Sequence, residues 1–319
     1  MQKFYSTIFV CSIFLASFFT VQAQESYSLK TKKISFPFDN SGNLSGVKVG
    51  GESKEYFSFE DNSVVFSAGF MLSGYSDSLL WCNGQISTHR MEDYIPGHID
   101  SSNLEDKKLY IVKADDPPFG DSWLSWENAV AQGADFYDGD ADGIYDPVDK
   151  NANGIWDINE DKPDILGKET VWCVYNDGAD NSIINSEPVG IEVRQTAFYF
   201  EDENNSNTIL ENTIFVRYQF VNTGLVNDKL ESVYFSQVTD MDIGSSDNDL
   251  IGCDTTLNAG FGYNHEEDQY WGNNPPAIYF QILQGPHSYI PNETYLDNNS
   301  NGIFDETIDT PLDSANINK

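Results

Sequence analysis

Residues 138–161 read Asp-Gly-Asp-Ala-Asp-Gly-Ile-Tyr-Asp-Pro-Val-Asp-Lys-Asn-Ala-Asn-Gly-Ile-Trp-Asp-Ile-Asn-Glu-Asp. This stretch constrains the chain more than any other, because neither a helix nor a strand accommodates it. Asp and Asn side chains bond their own backbone, and Gly opens left-handed conformations, so the run must turn. Its spacing points to a hard cation. A calcium loop of the EF-hand type supplies oxygens from positions 1, 3, 5, 7 (a backbone carbonyl), 9 and 12, with Gly at 6. Counted from Asp138, these positions are Asp138, Asp140, Asp142, the carbonyl of Ile144, Asp146 and Asp149, with Gly143 at the turn. Counted from Asp149, they are Asp149, Asn151, Asn153, the carbonyl of Ile155, Asp157 and Glu160, with Gly154 at the turn. Asp149 is therefore expected to close one loop and open the next, one carboxylate bridging two Ca2+ ions. The first loop carries more negative charge and should attract its ion more strongly; the second ends better, since Glu160 reaches far enough for bidentate ligation.

The flanks depart from a true EF-hand, which needs a helix entering and another leaving. Gly133 interrupts the approach and Pro163 follows the exit. Tandem aspartate loops without helices resemble the calcium repeats of thrombospondin type 3 and dockerin-like modules, over roughly residues 135–164. Ile144/Tyr145 and Ile155/Trp156 recur in phase and are expected to peg the loops onto a neighbouring surface. A third loop follows the same pattern with Asp297, Asn299, Asn301, Gly302, the Ile303 carbonyl and Asp305, but its twelfth position is Ile308, with Asp309 one step late. A further acidic group, Asp240, Asp242, Asp247, Asp249 and Asp254, has no such register; it reads as a cation site at a strand end or as a hydrated turn.

Residues 1–23 read as an export signal: Lys3, an apolar run from Ile8 to Phe19, and a small-residue cleavage site at Val21-Gln22-Ala23. No other apolar run approaches the roughly 20 residues of a membrane span. The net charge is −34, with 51 acidic residues against 17 basic ones, which excludes nucleic acid as a partner because phosphates would be repelled. An aromatic content of 14 % argues for a packed core rather than an acidic disordered chain. Beyond the signal, Cys82, Cys173 and Cys253 make an odd count; they read as buried free thiols, or as one bridge between Cys82 and Cys173.

Most apolar segments have strand character: Tyr27 to Phe36, Ser63 to Leu72, Ser78 to Ile86, Lys108 to Val112, Thr170 to Tyr175, Gly190 to Phe200, Thr213 to Val221, Ser232 to Val238 and Ala277 to Leu283. Only Trp123 to Gln132 resembles a helix. The expected fold is all-β, an antiparallel β-sandwich over residues 24–286 interrupted by the calcium loops at 133–164, with residues 287–319 carrying the third loop and starting a following region. Segments 63–72, 170–177, 188–200, 249–257 and 275–286, the last ending in Gln-Gly-Pro, resemble the ectodomains of large exported proteins of Bacteroidetes-type bacteria. Such proteins usually end in a sorting domain for type IX secretion. The resemblance implies a surface or secreted location and, since this chain ends in a polar stretch, a fragment of a longer protein.

The functional expectation is a calcium-binding, cell-surface or secreted protein of structural or adhesive role. The alternative is a secreted carbohydrate-binding module or polysaccharide-active enzyme, for which Trp81, Trp123, Trp126, Trp156, Trp172 and Trp271 offer stacking surfaces and Asp115 and Asp116 are the nearest acidic pair. Extracellular polysaccharide and other surface proteins are the candidate partners. A zinc protease is disfavoured, because His265-Glu266-Glu267 lacks a second His four residues on, and His89, His98 and His287 sit in no ligand pattern. No Gly-x-Ser-x-Gly nucleophile turn occurs.

Overall fold

The computed structural model describes residues 26–86, 91–99, 101, 103, 105–179, 187–201, 208–285, 295–296, 298–299 and 303–311. The expected signal at 1–23, together with His89 and His287, lies outside them. Among the described residues no helix is long and apolar enough to cross a membrane.

The fold is all-β and antiparallel, as its alternating Val, Ile, Tyr and Phe segments require. Strands used below are β1 (Ser26–Lys30), β2 (Ile34–Asp39), β3 (Ser67–Ser76), β4 (Leu79–Ile86), β5 (Tyr110–Lys113), β6 (Phe136–Tyr137), β7 (Lys162–Pro163), β8 (Glu169–Asn176), β9 (Ile191–Tyr199), β10 (Ile214–Asn222), β11 (Glu231–Asp240), β12 (Asp249–Asp254), β13 (Ala259–Asn264) and β14 (Ile278–Gln281); helix α1 spans Asp121–Ala131. The described strands distribute over seven sheets rather than two, so the layering is more broken than a plain sandwich. One ladder runs β5 and Ile95–Pro96 beside β8, then β9 and β10; another runs β11-β3-β4 with Met91–Glu92.

Every residue of β8 is buried, which explains its nearly unbroken apolar reading. Alternation still divides its faces. Val171, Cys173 and Tyr175 enter cores shared with β2, β3 and β9, while Trp172 and Val174 enter a separate core with Trp123, Trp126 and Ala129 of α1. The sheet thus separates the main core from a helix-side core, and the acidic loops grow from the helix side. Phe70, fully buried on β3, centres the main core with ring centroids 5.3 Å from Tyr94, 5.3 Å from Tyr218 and 5.4 Å from Phe220.

Two details depart from the sequence reading. Tyr27 to Phe36 splits into β1 and β2, because the Thr31 hydroxyl accepts the amides of Lys33 (3.2 Å) and Ile34 (3.0 Å) and turns the chain. β12 and β13 emerge from a Gly-rich stretch that masks strand propensity; a Cβ at Gly252 would lie 2.5 Å from the Phe261 ring, so Gly lets that ring lie on the neighbouring strand. Of the two readings of the cysteines, free thiols or one bridge, the structure has Cys82 and Cys173 free. Trp81 faces the core that holds Cys173, so the pleat turns its neighbour Cys82 the other way.

Truncating the ring at the centre of this core, Phe70→Ala, is expected to cost about 3–5 kcal/mol, read as a lowered midpoint in urea at an unchanged m-value.

Candidate metal centre

The acidic segment is clasped at its base. β6 and β7 pair Phe136 with Pro163 and Tyr137 with Lys162, so the chain leaves and re-enters at one point. Two aromatics anchor what lies between. Tyr145 is buried, and its hydroxyl donates to the Trp123 carbonyl on α1 at 2.9 Å. Trp156 packs edge-on to Tyr137 at 5.4 Å, lies 3.9 Å beneath the Lys162 ammonium, and donates its indole N–H to the Glu160 carbonyl at 2.8 Å. Only half of each expected peg therefore packs. Ile144 and Ile155 are 64 % and 65 % exposed, since adjacent residues of an extended segment point to opposite sides.

The two loops adopt the same geometry. At position 1, the Asp138 carboxylate accepts the amides of Asp142 (3.2 Å) and Gly143 (2.8 Å). Asp149 does the same for Asn153 (3.1 Å) and Gly154 (2.6 Å). At position 5, the side-chain oxygens of Asp142 and Asn153 each accept the amide two residues on, from Ile144 and Ile155, at 2.7 Å. Gly143 (φ 80°) and Gly154 (φ 76°) take the left-handed conformation that the turn demands, and so do Ala141 (φ 61°) and Ala152 (φ 58°). Left-handed alanine costs about 1–2 kcal/mol; its occurrence at one position of both loops marks a constraint imposed by the loop itself.

What closes the loops differs from the sequence expectation. Glu160, fully buried, accepts the amides of Lys150 (2.7 Å) and Asp157 (2.9 Å), positions 2 and 9 of the second loop, one on each oxygen. The first loop is closed in this way by Asp161, not by Asp149. Asp161 is 1 % exposed and accepts the amides of Gly139 (2.9 Å) and Asp146 (3.0 Å), again positions 2 and 9. Asp138, Asp140 and Asp161 bring carboxylate oxygens within 4.8 Å of one another. Asp149 serves the second loop alone, so the second loop is nested inside the first. A twelve-position template misses Asp161 because the nested turn displaces it.

The third loop repeats the closure. Asp297 and Asn301 lie outside the described residues, but the buried Asp309 accepts the amides of Asn298 (3.0 Å) and Asp305 (2.7 Å), positions 2 and 9. Tyr295–Leu296 pairs with Thr310–Pro311 at its base, as β6 pairs with β7. Position 8 is aromatic in all three loops, Tyr145, Trp156 and Phe304. The outer loop from Asp138 to Asp161 holds 24 residues and the third 13; the difference of 11 is the offset of the nested turn.

The donor set is all oxygen. Asp140 is bound by the Lys150 ammonium at 2.6 Å, which holds its carboxyl below the usual range. The Gly154 amide, followed by that of Asn153, lowers Asp149. Asp146 moves upward, first through lost hydration and then through its neighbours Asp161, Asp140 and Asp142. Asn151 and Asn153 converge on the Asp157 carboxylate at 2.6 and 3.1 Å.

Other candidate groups have structural roles. Asp249 accepts the Ile243 amide (3.1 Å), and Asp247 accepts from the Ser245 hydroxyl (2.5 Å). Asp254, at the far end of β12, caps a turn through Thr256 and Leu257. Asp268, which spacing did not reveal, is buried and accepts the amides of Ser245, Tyr270 and Trp271. Asp240 and Asp242 interact closely enough for Asp240 to add to the upward shift that burial gives Asp242. Trp81, Trp123, Trp126 and Trp172 are core residues and offer no stacking face; Trp271 is half-buried against Phe59. Asp115 pairs with Lys168 and Asp116 accepts the Lys113 amide. His98 bonds Glu192, and His265 bonds the Asn248 carbonyl.

Compared with known protein families, curated proteins and solved structures, the chain matches none.

Two outcomes follow from the local physics. The Cβ of Gly139→Ala would meet the Glu160 backbone at 2.4 Å, whereas the space beside Gly143 is open. Gly143→Ala should cost about 1–2 kcal/mol from backbone strain alone, and Gly139→Ala should lower the melting midpoint further. With chelator present, Asp146→Asn should raise the midpoint at pH 7. The folded-state value of Asp146 lies above its unfolded one, so its ionisation opposes folding at neutral pH. The gain should vanish below about pH 3.9, the unfolded value, in melts recorded across that range.

Proposed function

We propose that this chain is an exported, calcium-binding structural or adhesive protein, carried at a bacterial cell surface or secreted. The observation that supports it best is the recurrence of one closing device. Glu160, Asp161 and Asp309 each span the amides of positions 2 and 9 with their two oxygens. In a calcium loop the bidentate carboxylate stands where the chain returns, opposite positions 1, 3 and 5. Acidic surface turns with accidental spacing have no reason to share it.

Ca2+ fits this donor set better than the alternatives. Carboxylate, amide and carbonyl oxygens suit hard cations, while zinc and copper prefer the nitrogen and sulfur that these loops lack. The ion would be held by Asp138, Asp140, Asp142, the Ile144 carbonyl, Asp146 and Asp161 in the outer loop. Asp149, Asn151, Asn153, the Ile155 carbonyl, Asp157 and Glu160 would hold it in the inner one. Outside cells, affinities of roughly 10⁻⁴–10⁻³ M suffice for such loops. A chain of net charge −34 repels itself, and each dication relieves that repulsion where carboxylates are densest. The role assigned to the ion is therefore rigidity rather than chemistry.

Ligand linkage sets the size of the effect. At 100 times the dissociation constant, one ion adds about 2.7 kcal/mol, or about 4–5 °C in a domain of this size. Calcium at several millimolar should raise the melting midpoint by at least that much over the chelated protein, and magnesium by less. Identical melting curves in calcium and in excess chelator would refute the assignment.

A further inference from the structure

Resting on the calcium reading above, we infer that the two tandem sites fill in a fixed order, the nested Asp149–Glu160 loop first and the surrounding Asp138–Asp161 loop second. The asymmetry is one of connectivity. Every donor of the inner loop lies between Asp149 and Glu160, so that loop assembles without the outer one. The outer loop depends on Asp161, which follows Glu160 directly. Glu160 grips Lys150 and Asp157 (2.7 and 2.9 Å) while Asp161 grips Gly139 and Asp146 (2.9 and 3.0 Å). Closing the inner loop delivers Asp161 to its place. An ion entering the outer loop first would have to order the inner turn as well, and that conformational entropy would be subtracted from its affinity.

Two contacts strengthen the coupling. Gly139, position 2 of the outer loop, packs so closely on Glu160 that a Cβ there would lie 2.4 Å from its backbone nitrogen and oxygen. Lys150 joins both sites: its amide is held by Glu160, and its ammonium lies 2.6 Å from Asp140 Oδ2 and 3.0 Å from the Asn159 carbonyl. A dication on Asp140 competes with that ammonium for the same oxygen. The outer site is thus the weaker of the two, opposite to what its larger count of carboxylates suggests. Lys150 acts here as a positioning residue that sets the interval between the two affinities.

The test is calorimetric titration of the whole chain with calcium chloride. Trp156 emission, followed in parallel, reports the inner loop because the indole bonds the Glu160 carbonyl. Asp161→Asn should remove one ion and leave the affinity that moves Trp156 emission within about threefold. Glu160→Gln should abolish the early emission change and weaken the outer site at least tenfold. Lys150→Met, outside the ligand set, should tighten the later step severalfold and shift it more than the earlier one, which loses only the ammonium's bond to the Asn159 carbonyl. An outer site whose affinity survives Glu160→Gln, or an early step lost in Asp161→Asn and kept in Glu160→Gln, overturns the order while leaving calcium binding intact. Wild-type protein that takes up no calcium at millimolar concentration overturns the calcium reading itself, and the order with it.

Discussion

The acidic segment depends on one interaction, a buried carboxylate whose two oxygens each accept a backbone amide from opposite ends of a loop. Glu160 and Asp161 are almost inaccessible to water, and a carboxylate in such a place is costly unless its lone pairs are bonded. Each is bonded on both oxygens. Those bonds fix positions 2 and 9 of the loop, and in the outer loop the carboxylates at positions 1 and 3 converge with the closing Asp161. The buried carboxylate thereby organises the exposed ones, which would otherwise repel one another into solvent.

This arrangement needs a rigid floor. Strand β8 supplies it by dividing its side chains between two cores, Cys173 and Tyr175 toward the other ladders, Trp172 and Val174 toward α1. The helix presents Trp123 to the loop, and Tyr145 reaches down to the Trp123 carbonyl. The aromatic at position 8 thus ties a flexible, charged turn to a dry interior. Its neighbour at position 7 points its aliphatic side chain to the opposite side, which explains why Ile144 and Ile155 stand in water.

Nesting gives the segment its character. A single loop of the third type holds 13 residues between Asp297 and Asp309, and the outer loop holds 11 more. A complete second turn has been placed just before the closing residue without altering the closure. The two turns then share a backbone junction at Glu160 and Asp161 instead of a ligand. Only the inner turn is complete by itself; the outer one closes through Asp161, the residue that follows Glu160.

The sequence alone determined the fold class, the place of most strands, the helix, and the two registers of the repeated acidic turn, since each rests on local periodicity or local turn chemistry. Spacing marked Asp138 through Asp157 as two repeats of one turn, and position twelve marked Glu160, which closes the second of them. It missed Asp161, and it could place Asp309 only as one step late, because the residue that closes a loop is fixed by where the chain returns in space. The tertiary structure also decided which aromatics are core, which ladder each strand joins, and that Cys82 and Cys173 face apart. Spacing along the chain encodes which oxygens can meet within one turn; only packing decides which distant carboxylate comes back to lock it.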